Sequence, residues 1–532
     1  MPNFQITPGI DCETSQKTTT MDSDQVPQHH DLTNQTLPAP ATTCQPGEWG
    51  YLPPEMRNKI LRFIAKKKNA GWATSAATCK EFQAVIAKEN FRRLKVTADS
   101  VDGLARIICQ SLLVEHIWLK IELPPYRCPS CDETEIRPTE LQARCIIWRA
   151  IHTLFTILSR WSLVKCLKLE LSVYSPSDSE HSLKNYILDC DHDEGYRLPS
   201  LARGTIPAIH DPYHGWVNGL QMIPSMPAVR RVYSQFGMCH STDFPVVMAV
   251  TGFVIRRQVR RWCEIEYLEC MFRSLPRLES IELEVWSLKP HNCRGRYTEG
   301  VERLMGATLP FSVKRIVVFE DTDHYLAQGP QYDRYYSGPT AQYPGASRVG
   351  RAFALRSFYL DHLSAAYMID AKHFFREAPP VWTWYSLESL VLTAELFGDE
   401  VTERGVKQLL SDAGGAALRM PRLHAMVLWN ADREAACAFI YQRKNGISSL
   451  TWRGTWRLEL RPDVTKVWER VAVKFGYPEL QTYTISAKKS LIKCHGDAIR
   501  VLGLPFRVMD RVSLWQKRKE ELARREISRP PS

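Results

Sequence analysis

One short pattern recurs along most of this chain and limits what it can fold into: an apolar residue, two others, an apolar residue, one other, an apolar residue. Val114-Glu115-His116-Ile117-Trp118-Leu119 carries it and runs on to Ile121. Val164-Lys165-Cys166-Leu167-Lys168-Leu169 repeats it and runs on to Leu171, and Leu278-Glu279-Ser280-Ile281-Glu282-Leu283 runs on to Val285. Further copies sit at Val313/Ile316/Val318, Leu355/Phe358/Leu360, Leu387/Leu390/Leu392, Leu423/Met426/Leu428 (ending in Asn430) and Ile447/Leu450/Trp452, with a weak one at Val229 and Val232. Alternation over the last positions of each copy is the pattern of a strand with one buried face.

The spacing is that of the strand in a leucine-rich repeat, where regular copies recur about every 20–29 residues. Here the copies begin 24 to 65 residues apart, so the array is degenerate and carries insertions. Helical runs lie between copies, such as Trp262 to Phe272 and Val401 to Leu410. The expected fold is therefore α/β, an irregular leucine-rich-repeat-like solenoid over residues 110–515. Its parallel strands would each be followed by a helix and would line one long surface suited to a protein partner. An ordinary α/β domain with scattered half-buried strands is the competing reading. Polar insertions near 172–212 and 321–349 are longer than connectors need to be, and are expected to be mobile or to contact a partner.

The 532 residues, 44% of them hydrophobic, are ample for a core. The net charge of +11 arises from 69 basic residues interspersed with 58 acidic ones, which argues for a solvated surface rather than nucleic acid as the main partner. The start has neither a basic n-region nor an apolar h-region, and no run approaches the roughly 18 apolar residues of a membrane span. A cytoplasmic or nuclear protein without membrane association is expected. Fifteen cysteines at irregular spacings do not make a disulfide framework. Residues 1–48, rich in Thr, Gln, Pro, Asp and Ser, are expected to be disordered, and 516–532 to be a charged tail.

Motifs that carry chemistry are scarce. Cys128-Pro129-Ser130-Cys131 has the spacing of half a zinc site, but the nearest further candidates, Cys145 and His152, do not form a second tight pair. The pair is taken as two thiols in a turn after Pro124-Pro125. Asp189 to Ser200 begins like a calcium loop and fails it: glycine falls seventh, and Ser200 stands where a bidentate glutamate is needed. Gly414-Gly415 reads as a helix end and turn. Arg256, Arg257, Arg260 and Arg261 read as the solvated face of a helix. Phosphate-binding, nucleophile-elbow and metalloprotease motifs are missing from the sequence. No catalytic residue, metal ligand or cofactor is assigned, and the chain is not expected to be an enzyme.

Residues 49–95 read as two or three short amphipathic helices, a core too small to stand without support. The stretch has Leu52-Pro53 followed by Glu55, an apolar Ile60-Leu61 pair, and an aromatic-to-alanine segment from Trp72 to Ala77. Cys79-Lys80 with Phe82 and a closing Phe91 with Leu94 complete it. In this order and span it resembles an F-box, whose pattern runs L-P-x-E, an I-L pair, a V-C/S-K/R-x-W/F segment and a late aromatic with leucine. It departs from many members at Lys66-Lys67-Lys68, where they carry leucine-rich sequence. The chain as a whole resembles the uncharacterised fungal F-box-like proteins with a divergent repeat-like region.

The resemblance implies a fold of a short all-α F-box followed by the repeat region, and docking on a Skp-type adaptor linked to a cullin ubiquitin ligase. Leu52, Pro53, Glu55, Ile60, Leu61, Cys79 and Phe82 would bind the adaptor. The repeat region would bind an unknown protein substrate. The alternative is a non-catalytic interaction scaffold whose F-box-like helices pack on their own chain and recruit no ligase.

Overall fold

The computed structural model describes residues 48–67, 80–128, 130–135, 137–161, 166–188, 209–237, 243–328, 332–378, 381–398 and 403–525. Most of the N-terminal segment expected to be disordered, the Trp72 to Ala77 segment, Cys79 and the calcium-like stretch from Asp189 lie outside these residues. The chain divides into two compact units, residues 1–89 and 90–532. Among the described residues no helix is long and apolar enough to cross a membrane.

The first unit holds helix α1 (Pro54–Lys67) and most of α2 (Lys80–Arg92). Pro54 at the start of α1 lacks the N–H that would be unpaired there, and Glu55 in the first turn favours the positive end of the helix dipole. Arg57 pairs with Glu81 at 3.3 Å, and the Trp49 ring lies 5.4 Å from that of Phe82.

The second unit is mixed α/β and is built on a twelve-stranded sheet. Its strands are β1 (Arg93–Thr97), β2 (His116–Glu122), β3 (Leu167–Tyr174), β4 (Val250–Ile255), β5 (Ser280–Trp286) and β6 (Arg315–Asp321). They continue with β7 (His362–Asp370), β8 (Ser389–Thr393), β9 (Ala425–Ala431), β10 (Ala436–Lys444), β11 (Ile447–Gly454) and β12 (Leu480–Ser486). The order across the sheet is the order along the chain. From β1 to β9 every neighbour pair is parallel. β10 is antiparallel to both its neighbours, and β12 is parallel to β11.

Two rows of side chains cross this sheet in register. One runs Leu94, Ile117, Leu169, Phe253, Ile281, Ile316, Leu363, Leu390, Met426. The other, two residues on, runs Val96, Leu119, Leu171, Ile255, Leu283, Val318, Ala365, Leu392, Leu428 and continues through Phe439 and Trp452. Both rows enter the main core, and each fully buried leucine or isoleucine there contributes about 1.5–3 kcal/mol.

Against this face pack α3 (Arg137–Leu158), α4 (Ile265–Arg273), α5 (His291–Arg303), α6 (Ala346–Arg356), α7 (Glu403–Ala417) and α8 (Pro462–Lys474). Gly414 and Gly415 lie inside α7 rather than at its end. A Cβ at Gly414 would meet Val467 of α8 at 2.6 Å, so this glycine sets how closely the two helices approach.

The opposite face is covered over β6 to β10 by the end of the chain. Phe319, Ala366, Val391, Val427, Trp429 and Ile440 pack there with Ile499 and Leu502 of α9 (His495–Leu502) and with Val508 and Met509. Helix α10 (Arg511–Arg525) follows, so the expected charged tail is helical up to Arg525, and Lys517 and Glu520 within it are buried.

Some expected copies are displaced. The pattern at Leu355/Phe358/Leu360 falls on the end of α6 and a short 3-10 turn, and the strand begins at His362. Its row residues are Leu363 and Ala365. In β3 the row residues are Leu169 and Leu171, two positions later than expected. Val229 and Val232 lie on a helix, Met226–Val232, whose N-cap Ser225 accepts from Ala228 N–H.

The inserted segments are folded where they are described. Leu183, Tyr186, Val229, Tyr233, Trp286, Leu326, Tyr332 and Tyr336 form a separate buried cluster.

Candidate functional site

Helix α1 is apolar on two sides. Leu61 and Ala65, four residues apart, are buried. Met56, Ile60 and Phe63 form a second stripe at helical spacing, with Ile60 half-buried, Met56 48% exposed and Phe63 59% exposed. Tyr51 and Pro53, just before the helix, are exposed. Of the expected adaptor-binding residues, Pro53 and Glu55 face solvent, Leu52, Ile60 and Phe82 are half-buried, and Leu61 is buried at 2% exposure.

A second constellation lies beyond the ends of β2 and β3 in the other unit. Cys128 and Cys131 follow β2, His181 follows β3, and His214 ends a short turn, Pro212–His214. Cys128 Sγ is 3.4 Å from Cys131 Sγ, 3.5 Å from His181 Nδ1 and 3.0 Å from His214 Nε2. The two imidazole nitrogens are 3.2 Å apart. Each ring is oriented from behind: Asp211 Oδ2 accepts from His214 Nδ1 at 2.6 Å, and the Tyr126 carbonyl accepts from His181 Nε2 at 3.3 Å. Burial pushes the Cys131 thiol up to about 11, and Cys128 adds to the shift, because two thiolates this close repel. Cys145 and His152, the nearest further candidates along the sequence, lie on α3 and take no part.

The loop carrying the cysteines is fixed by several contacts. Ser175 Oγ donates to Pro124 O at 3.0 Å, and Tyr126 N–H donates to Ser177 Oγ at 3.2 Å. Arg231 donates twice to the Glu133 carbonyl. Arg261 holds Asp178 through both guanidinium NH2 groups, and Tyr126 O–H donates to the same carboxylate.

The arginine cluster is not a solvated helix face. Residues 256–261 form a turn after β4, and their guanidinium groups point inward. Arg256 reaches Glu170 at 3.0 Å and Asp510 at 3.2 Å. Arg257 and Arg260 share Glu520, and Arg257 also pairs with Asp321. Both rest on Trp286, 4.6 and 4.3 Å from its ring centroid, which adds a cation–π attraction. Lys517 closes the network at 2.6 Å from Asp321. Burial alone would push Asp321 up, but Lys517 and Arg257 hold its carboxyl below the ordinary range. These charges are compensated within the protein, so they are not available to phosphates.

An internal cavity of about 30 Å³, lined mainly by apolar side chains such as Trp262, Met305 and Met368, has room for little more than a water molecule.

Residues 308–510 match a family described only as a family of unknown function (DUF6546). The matched stretch takes in β6 to β12 and α9, and contains neither the Cys/His cluster nor α1. No curated protein and no solved structure matches the chain.

Proposed function

We propose that this chain is the substrate-recognition adaptor of a Skp-cullin-F-box type ubiquitin ligase. In this reading α1 and α2 dock on a Skp-type adaptor, and residues 90–525 form an irregular leucine-rich-repeat-like array that takes up a protein substrate. The observation that carries it is the second apolar stripe of α1. A helix of a small unit that buries Leu61 and Ala65 and still exposes Met56 and Phe63 has a face left for a helical partner. Leu61, being buried, would hold the helix in place while Leu52, Pro53, Glu55, Ile60 and Phe82 meet the adaptor; Cys79 completes the set.

Support for the array comes from nine parallel strands in chain order with two side-chain rows in register. Because α9 and its flanking residues cover β6 to β10 on the second face, substrate recognition falls to other surfaces. The segment around the small hairpin Trp216–Val217/Leu220–Gln221 suits it, with Tyr213 72% and Met222 69% exposed. The alternative scaffold reading rests on the buried side of α1, which by itself asks for no partner. Affinity purification of the full chain, followed by identification of what binds, separates the two. A Skp-type adaptor and a cullin among the bound proteins supports the ligase reading, and their absence supports the scaffold.

A further inference from the structure

We propose that Cys128, Cys131, His181 and His214 form a structural zinc site. The inference does not depend on the adaptor reading. Its first ground is the donor set: two thiols and two imidazoles, a combination that selects zinc among abundant divalent ions. The second is geometry. A tetrahedral zinc with ordinary bond lengths of about 2.3 Å to sulfur and 2.0–2.1 Å to nitrogen separates its ligands by about 3.8 Å (S to S), 3.5 Å (S to N) and 3.3 Å (N to N). The four observed edges, 3.4 Å between the sulfurs, 3.5 and 3.0 Å from Cys128 Sγ to the nitrogens and 3.2 Å between the nitrogens, lie at these lengths or up to about 0.5 Å inside them, so a bound ion would spread the donors slightly. The two remaining edges, from Cys131 Sγ to the imidazole nitrogens, are at most 4.8 Å, so Cys131 would move inward on binding.

The third ground is the support behind the histidines. A ligating imidazole characteristically donates its other N–H to a carboxylate or a backbone carbonyl, which fixes the tautomer and turns the free lone pair to the metal. His214 does this with Asp211, itself held by Lys184 at 2.7 Å, and His181 does it with the Tyr126 carbonyl. Four protein ligands leave no position for water or substrate, so the ion would be structural rather than catalytic. It would tie together three segments far apart in sequence: the loop after β2, the segment after β3 and the turn leading into the Trp216–Val217 hairpin.

The test uses the full-length chain, produced with zinc in the medium and freed of loose metal. Metal analysis should find one zinc ion per chain, falling to background in Cys128→Ser/Cys131→Ser. Replacement of the native metal by cobalt(II) should give the intense visible bands of a tetrahedral site and a thiolate-to-metal charge-transfer band. This cobalt spectrum of the unsubstituted chain decides the matter should the double variant fail to fold. Folded protein that carries no zinc and gives only the weak spectrum of octahedral cobalt overturns the proposal. So does a Cys128–Cys131 disulfide found in protein kept under reducing conditions.

Discussion

Lys517 Nζ lies 2.6 Å from Asp321 Oδ1, with both side chains at or below 1% exposure, and so ties α10 to the end of β6, 196 residues earlier. Removing one partner of an isolated buried pair costs about 3–5 kcal/mol; Asp321 keeps Arg257, so the loss here falls toward the low end of that range. Lys517→Met is predicted to lose stability on that scale in urea unfolding, and to release α10 to proteolysis before the sheet opens. Asp321→Asn combined with Lys517→Met should recover part of the loss, because Arg257, shared with Glu520, compensates the Asp321 carboxylate only in part once Lys517 is gone.

The same pair sets a pH dependence. Asp321 is held below its ordinary value of 3.8, so its contribution is complete above that pH and is lost as pH falls through the lowered folded value. Glu284 works the other way: burial, with Asp510, pushes it up to about 7, so its contribution is present below 4.5 and lost as pH rises through 7. The windows do not overlap. The stability difference between the unsubstituted chain and Asp321→Asn should therefore hold steady above about pH 4 and shrink below it, measured by thermal unfolding across pH.

In the second side-chain row, Leu392 is fully buried and stands between Ala365 and Leu428. Leu392→Ala should cost about 2–5 kcal/mol in urea unfolding. Leu491, half exposed at 50%, is the control, and its replacement by alanine should stay within about 0.5 kcal/mol.

Much of the sheet was legible because a buried strand face writes itself as alternation: Ile117/Leu119, Ile281/Leu283, Leu390/Leu392 and Met426/Leu428 all fall on the rows. β4 escaped because Val250 to Ile255 is buried on both sides and does not alternate. β7 was misplaced because one of its row residues is Ala365, too small to stand out. Phe91 and Leu94 read as the close of a helical unit, yet β1 begins at Arg93. Two hairpins carry a sequence signal: Asn218-Gly219 and Asn445-Gly446 both take positive φ, the backbone that such pairs favour in two-residue turns. The Cys/His cluster had only the C-x-x-C to announce it, since His181 and His214 stand 53 and 86 residues from Cys128. The inward arginines could not be read either, because their partners Asp178, Asp321 and Glu520 come from elsewhere in the chain.

The docking face of α1 is tested most directly by titrating a purified Skp-type adaptor against the full-length chain and its Leu52→Ala/Pro53→Ala variant, with thermal unfolding of both. The account predicts that the unsubstituted chain binds, and that the variant binds roughly thirty-fold more weakly or not at all, as when a hot spot worth about 2 kcal/mol is removed. The unfolding of residues 90–525 should be unchanged. An unsubstituted chain that binds no adaptor would contradict the account.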